Sequence, residues 1–497
     1  MAGTTPIETA PVPSVPPARS GRVTALVLGL GALLGTAATT YLAVAGTSLG
    51  RSLDAPDLWF YENDPSLTPE ALGEAAARSW SAAAVGLLAV AWLLTGLAVR
   101  RGVAARWLLL VGVLWAVPLV IGPPLFSEDV FFYTAIGAAV QNDVDPFRYG
   151  PGVLGAVEAV RGAEPFWRFS PTPYSPPFVS LLSGLSWLFD EDLLSVLVAV
   201  RVLCVAGWLV CALIVCRIAA RLGGSRAVAM WLGGINPLVL LHLVSGNHND
   251  ALMLALLLPG LLLALLDRPL LGILLCVAGA GIKATALVAV LVIGVDWAQR
   301  QDGWAARLRT LALAGAVGAG AFALSVQLTG LGWGFLGNLD IPGRSLVSLT
   351  PTSAIAFVLD ADEPPIDQTR LAGVVVAVVV GALFLTRLRG WGLIRVTSWI
   401  GLTVVLTGSV VWPWYFLWPT LLFAAAGVAA ERRLVVVWSV VLLFATLPGG
   451  GPVTRLFPRP LVDQFVLGVL TVALLAGLVH VVLARRRSSR ATPEPAR

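Results

Sequence analysis

The chain has 497 residues, 57% of them hydrophobic and 12% charged, with a mean hydropathy of +0.85. Soluble domains carry roughly twice that charged share, and here the apolar residues come in bilayer-length runs between short polar pieces, which excludes a water-soluble fold. The net charge of +5 does not point to nucleic acid, because most arginines sit in clusters beside apolar runs, where they set topology.

Residues 1–22 are rich in Pro, Thr and Ser and are expected to be disordered. The first apolar run, 23–46, is too long for a signal-peptide core and lacks a clear cleavage site, so it should remain as a membrane anchor. Spans of about 17–25 apolar residues can cross the hydrocarbon core. They fall near 23–46, 80–99, 106–125, 192–216, 226–245, 250–266, 270–283, 284–297, 308–329, 370–387, 394–411, 413–430, 434–448 and 462–484. That is about fourteen, with 270–297 short for two full crossings. The expected fold is an all-α polytopic membrane domain over 23–484, followed by a basic tail, 485–497. The cysteines Cys204, Cys211, Cys216 and Cys276 lie inside apolar runs without ligand spacing and read as small packing residues.

Arginine placement orients the spans. Arg19 and Arg22, Arg100, Arg101 and Arg106, Arg217, Arg221 and Arg226, and Arg300, Arg307 and Arg309 flank alternate loops. Arg387, Arg389 and Arg395, then Arg432 and Arg433, then Arg485, Arg486 and Arg487 complete the set. With these on the cytoplasmic side, both termini are cytoplasmic and the loops 47–79, 126–191 and 330–369 are external. The apolar piece 176–189 would invert everything after it if it crossed, so it is read as a juxtamembrane or re-entrant helix on the external side.

The unusual residues gather on that external face. Glu128 and Asp129 follow the third span directly and should begin a helix running to about Gln141; carboxylates there also complement the helix dipole, a bland role. The segment 236–254 (NPLVLLHLVSGNHNDALML) holds His242 and His248 with Asn247, Asn249 and Asp250. One N-cap, by Asn249 or Asp250, would use only part of that polar density. Lys283, the only lysine, falls within an apolar segment, where a charge either has a partner or pathway or snorkels to the interface. Trp412, Trp414 and Tyr415 in VVWPWYF are compatible with an ordinary interfacial belt. Arg344 is either an anion binder or the partner of Asp340 or Asp360.

In order along the chain, SEDVFFY, DPF with a later GP, TPYSPP, NPLVLLHLVSGNHNDALM, the single lysine and VVWPWY resemble the MptA/MptB-type mannosyltransferases. The resemblance covers about residues 120–420. It implies a GT-C-like fold and an actinobacterial enzyme that moves mannose from polyprenol-phosphate mannose to a cell-envelope glycan or lipoglycan acceptor, making α-1,6 linkages with inversion. The family's acidic residue of the first large external loop corresponds to Asp129, the expected general base. Glu128, Tyr133, His248, Asn249, Asp250, Lys283, Arg344, Trp412, Trp414 and Tyr415 are the candidate substrate contacts, with Lys283, then His248, then Arg344 offsetting the leaving phosphate. Glu128 departs from the pattern, which more often has a basic residue there. No cofactor is specified, although Asp129 and Glu128 could hold a divalent metal against the phosphate.

Readings of other classes remain distinct. A transporter or flippase predicts internal repeats and polar residues at mid-span, and neither is found in the sequence. A glycan polymerase or ligase would share the external site but take an undecaprenyl-diphosphate donor. A scaffold needs no clustered ionisable groups.

Overall fold

The structure is a computed structural model describing residues 18–49, 74–155, 157–344, 350–360 and 362–446. The span expected near 462–484, residues 50–73 of the acidic loop 47–79, residues 1–17 and the basic tail 485–497 lie outside these residues. The tail expected to be disordered to residue 22 is helical from Ala18, where the Ala18–Leu49 helix begins. Within them every regular element is helical.

Five described helices are long and apolar enough to cross a membrane: Gly21–Val44, Trp80–Arg100, Leu193–Arg221, Trp304–Thr329 and Ile366–Leu385. A sixth candidate is a broken pair, Arg226–Gly234 and Pro237–Ser245, bent by 45°. The chain is an all-α membrane protein. The expectation of about fourteen full spans is not met by helix length, because Ala105–Ile121, Asp250–Leu265, Pro269–Ile282, Ala284–Gln299 and Leu393–Thr407 are all shorter. A 14-residue helix such as Pro269–Ile282 rises only about 21 Å, against a core of about 30 Å. Hydropathy windows count apolar residues; they do not register where the backbone breaks.

The breaks position the polar residues. At the bend, Pro237 has no N–H to return to the preceding turn. Asn236 caps the new helix through Leu238 N–H at 3.0 Å, and its own amide nitrogen donates to Leu232 O at 2.9 Å and Ser439 Oγ at 2.8 Å. The pair ends in a π-turn over Leu240–Ser245, a distortion that recurs at functional sites. The next break, at Lys283, is one extended residue between two helices (φ −150°, ψ 120°).

Small residues let the elements approach closely. A methyl group on Gly207 would lie 2.8 Å from Ala251 O, so the Leu193–Arg221 helix meets the start of the Asp250–Leu265 helix backbone to backbone. Gly137 does the same between the Asp129–Gln141 helix and Leu182 O of the Pro176–Leu188 helix, at 2.6 Å. The Pro176–Leu188 helix has 13 residues and leaves Trp187 and Leu188 exposed at its end, as suits a piece lying in the interface instead of crossing.

Candidate active site

The helix that carries Asp129 starts at Asp129 and ends at Gln141. Its N-cap position is Glu128, and Ser127 Oγ accepts from the Asp129 N–H at 3.1 Å. The Asp129 side chain, 20% exposed, meets His248, which is fully buried, at 3.1 Å between Oδ2 and Nδ1. Tyr133, one turn along, donates to the same oxygen at 3.5 Å and accepts from the Asn249 N–H at 3.3 Å. Residues 119 apart in sequence, Asp129 and His248, are thus brought into contact.

Behind His248 stands an aromatic stack. Trp414 lies parallel to the imidazole at 4.1 Å between centroids, and Trp412 stacks on Trp414 at 5.0 Å and 5°. These indoles fix the ring plane, so they are more than belt residues. On the other side Tyr133, Tyr174 and Phe178 form mutual edge-to-face contacts at 5.3–5.5 Å.

A second pair lies beside the first. Asp250 begins its helix and has no exposed side-chain surface; Lys283 Nζ donates to its two oxygens at 3.0 and 2.8 Å. Trp418 Nε1 also donates to Asp250. The ammonium sits over the rings of Tyr415, at 4.4 Å, and Trp418, at 5.2 Å. Snorkelling is therefore not the arrangement of Lys283, whose side chain is 14% exposed and held inward. Nor is capping the role of the neighbouring polar groups, since Asn249 occupies the N-cap position without a side-chain cap bond.

Burial alone would raise the Asp129 carboxyl; the hydrogen bond and charge of His248, with the charge of Lys283, outweigh it and hold the group below its ordinary value. Asp129 is thus a carboxylate at neutral pH. Glu128 moves the opposite way, to about 6, through burial and the charges of Glu164 and Asp129, partly relieved by Arg168. Burial also keeps Tyr133 and Tyr174 well above the usual phenol range, hence protonated donors. A raised carboxyl favours the folded state only while protonated, so stability falls as pH rises from the unfolded value through about 6. Glu128→Gln should therefore melt higher than the parent chain at pH 7.5, by about 1–2 kcal/mol, and the two should coincide near pH 4. Equal midpoints at both pH values would show that the Glu128 carboxyl is not perturbed.

Arg344 stands apart in its bonding: it is exposed and pairs with Asp340 at 2.9 Å, the bland alternative. As for metals, Glu128 and Asp129 are the adjacent carboxylates; no group of three His, Cys, Asp or Glu side chains assembles among the described residues, so further ligands of a divalent ion would come from the substrates.

Tyr174, Trp418 and Arg201 join the site without having been singled out in the sequence. Trp418 follows Trp414 by one helical turn, and Arg201 is an ionisable residue in an otherwise apolar run, so both had a readable signal. Tyr174 lies within the TPYSPP segment, but only packing relates it to Tyr133.

An all-α membrane protein with an acid–histidine contact and a buried acid–lysine pair at its helix breaks is the class these features define. The chain belongs to the family described as alpha-(1->6)-mannopyranosyltransferase, N-terminal domain (MptA/B), whose model matches residues 32–299. The MptB C-terminal domain matches residues 348–483. Asp129, His248, Asp250 and Lys283 fall in the first region and Trp412, Trp414 and Tyr415 in the second, so the site is built from both. A relative from Mycolicibacterium smegmatis is 29% identical over 468 residues, covering 82% of this chain and 80% of its own. Alpha-(1->6)-mannopyranosyltransferase A of Mycobacterium tuberculosis is 29% identical over 71% of each chain. Alpha-(1->6)-mannopyranosyltransferase B of Corynebacterium glutamicum is 27% identical over 74% of this chain and 68% of its own. No solved structure matches the chain.

Proposed function

We propose that the chain is a mannosyltransferase that moves mannose from a polyprenyl-phosphate donor to a hydroxyl of a cell-envelope glycan or lipoglycan, forming an α-1,6 bond with inversion. The observation that carries this reading is the ionised Asp129, partly exposed, with His248 and Tyr133 fixing one oxygen. Oδ2 is committed to those two groups, which leaves Oδ1 for the proton of the acceptor hydroxyl. As that O–H bond breaks, the oxygen bonds to the anomeric carbon, and the bond from that carbon to the phosphate oxygen opens. The electron pair leaves with the polyprenyl phosphate, and the proton stays on Asp129. General-base help of this kind contributes about 10²–10⁴-fold.

The donor's lipid can remain in the bilayer while its head group enters the site, which is why the chemistry is set among membrane helices. The leaving phosphate needs donors that offset its charge. Lys283 is already neutralised by Asp250 and acts chiefly by its field on Asp129. The Asn249 side-chain amide, buried without a partner among the described residues, is better placed to donate.

An external site with cytoplasmic termini accords with the Leu193–Arg221 helix, where Arg201, near the site, is about twenty residues or roughly 30 Å from the arginines at the other end. A GT-C-like architecture accords with the same layout.

The test is donor choice. Membranes containing the chain should transfer label from polyprenyl-phosphate mannose to an α-mannoside acceptor. Transfer only from a sugar nucleotide or an undecaprenyl-diphosphate glycan would refute the proposal and favour a different transferase.

A further inference from the structure

Arg201 is 4% exposed and lies in the Leu193–Arg221 helix, behind the turn that carries His248. Its guanidinium donates to Val120 O at 2.9 Å and to Gly122 O. Both carbonyls belong to the end of the Ala105–Ile121 helix, where the last C=O groups have no partner within the helix. Its Nε lies 3.2 Å from the amide oxygen of Asn247, in the amide orientation whose nitrogen donates to Val244 O at 2.8 Å. Asn247 has a φ of +52°, a left-handed conformation in the residue directly before His248. The same two segments also meet through Leu125 N–H and Ser245 O at 3.4 Å.

One planar, forked cation thus reaches the strand of chain that leads into Asp129 and the turn that leads into His248. A guanidinium suits this, since it presents several donors in fixed geometry, whereas an ammonium is a point charge. Its charge at the negative end of a helix dipole offsets part of the cost of burial.

We propose that Arg201 is a positioning residue that sets the contact between Asp129 and His248 by tying the two segments together. It touches neither substrate nor the reacting atoms in this role. The inference rests on the reading of Asp129 as the base, and the experiment separates the two.

Transfer from polyprenyl-phosphate mannose is measured against pH for the full chain in membranes, as wild type, Asp129→Asn, Arg201→Met, Arg201→Lys and Asn247→Gly. Arg201→Met should lower kcat by about 10–100-fold, with the KM for the donor unchanged. It should also move the acid limb of the profile upward, because Asp129 loses the partner that lowers its proton affinity. Arg201→Lys should recover part of both effects. Asn247→Gly, which tolerates the positive φ, should shift the limb in the same direction by less, and it carries the test if Arg201→Met does not accumulate. An acid limb at the wild-type position in Asn247→Gly and in every folded Arg201 variant overturns the positioning role while leaving Asp129 in place. Wild-type turnover by Asp129→Asn removes the base itself, and the proposal with it.

Discussion

Asp129→Asn is expected to lower transfer by about 10²–10⁴-fold with little change in melting temperature. Asparagine keeps the shape of the side chain and an oxygen that can accept from His248 Nδ1, so the 3.1 Å contact need not be lost. What disappears is the negative charge and the ability to take a proton. The site is partly exposed on the Asp129 side, so the neutral amide is not left unsatisfied in a dry interior. Rate and stability therefore separate: initial rates in membranes should collapse, and the detergent melting curve should stay near that of the parent. A parallel fall in both would assign Asp129 to folding. His248→Gln should have the smaller rate effect, and it should move the acid limb upward by removing the main influence that lowers the Asp129 carboxyl.

Lys283→Met is expected to destabilise the chain by about 3–5 kcal/mol. It leaves the Asp250 carboxylate, with no exposed surface, without its countercharge. Trp418 still donates to it, as do no other described side chains, and one indole N–H cannot replace an ammonium at 2.8 and 3.0 Å. The double variant Lys283→Met with Asp250→Asn should recover most of the loss, because both charges are gone and the amide oxygen can still accept from Trp418. Thermal melting in detergent measures both. A Lys283→Met variant that melts like the parent would mean that the pair is not a buried ion pair.

These contrasts mark what sequence could and could not supply. The start of the helix at Asp129 and its end at Gln141 follow from the polar stop after the third apolar run and the Asn-Asp turn beyond it. The 176–189 segment resisted a spanning role because a crossing would invert the arginine clusters after it, and a 13-residue helix is what forms. The crowding at 245–250, Lys283 and 412–415 was visible as polar or aromatic residues in the wrong solvent. Their pairings were not. Nothing local says that Lys283 chooses Asp250, that His248 chooses Asp129, or that Trp414 stacks on His248. Such choices are made by packing between helices far apart in sequence, governed here by close approaches at Gly137 and Gly207. Arg344 shows the converse. Its partner is four residues away on an exposed turn, so the local explanation sufficed. Span number fell between the two, because apolar length is legible while breaks at Pro237 and Lys283 shorten the helices that result.

Loss of activity in Asp129→Asn cannot tell a base from a nucleophile, since both roles need the carboxylate. The anomeric configuration of the product can. A carboxylate that takes the acceptor's proton gives one displacement and inversion; one that attacks the sugar gives two and retention. The most direct measurement is the NMR coupling at the new anomeric centre after transfer from a polyprenyl-phosphate mannose of defined configuration. The account predicts the opposite configuration in the product, and retention of the donor's configuration would contradict it.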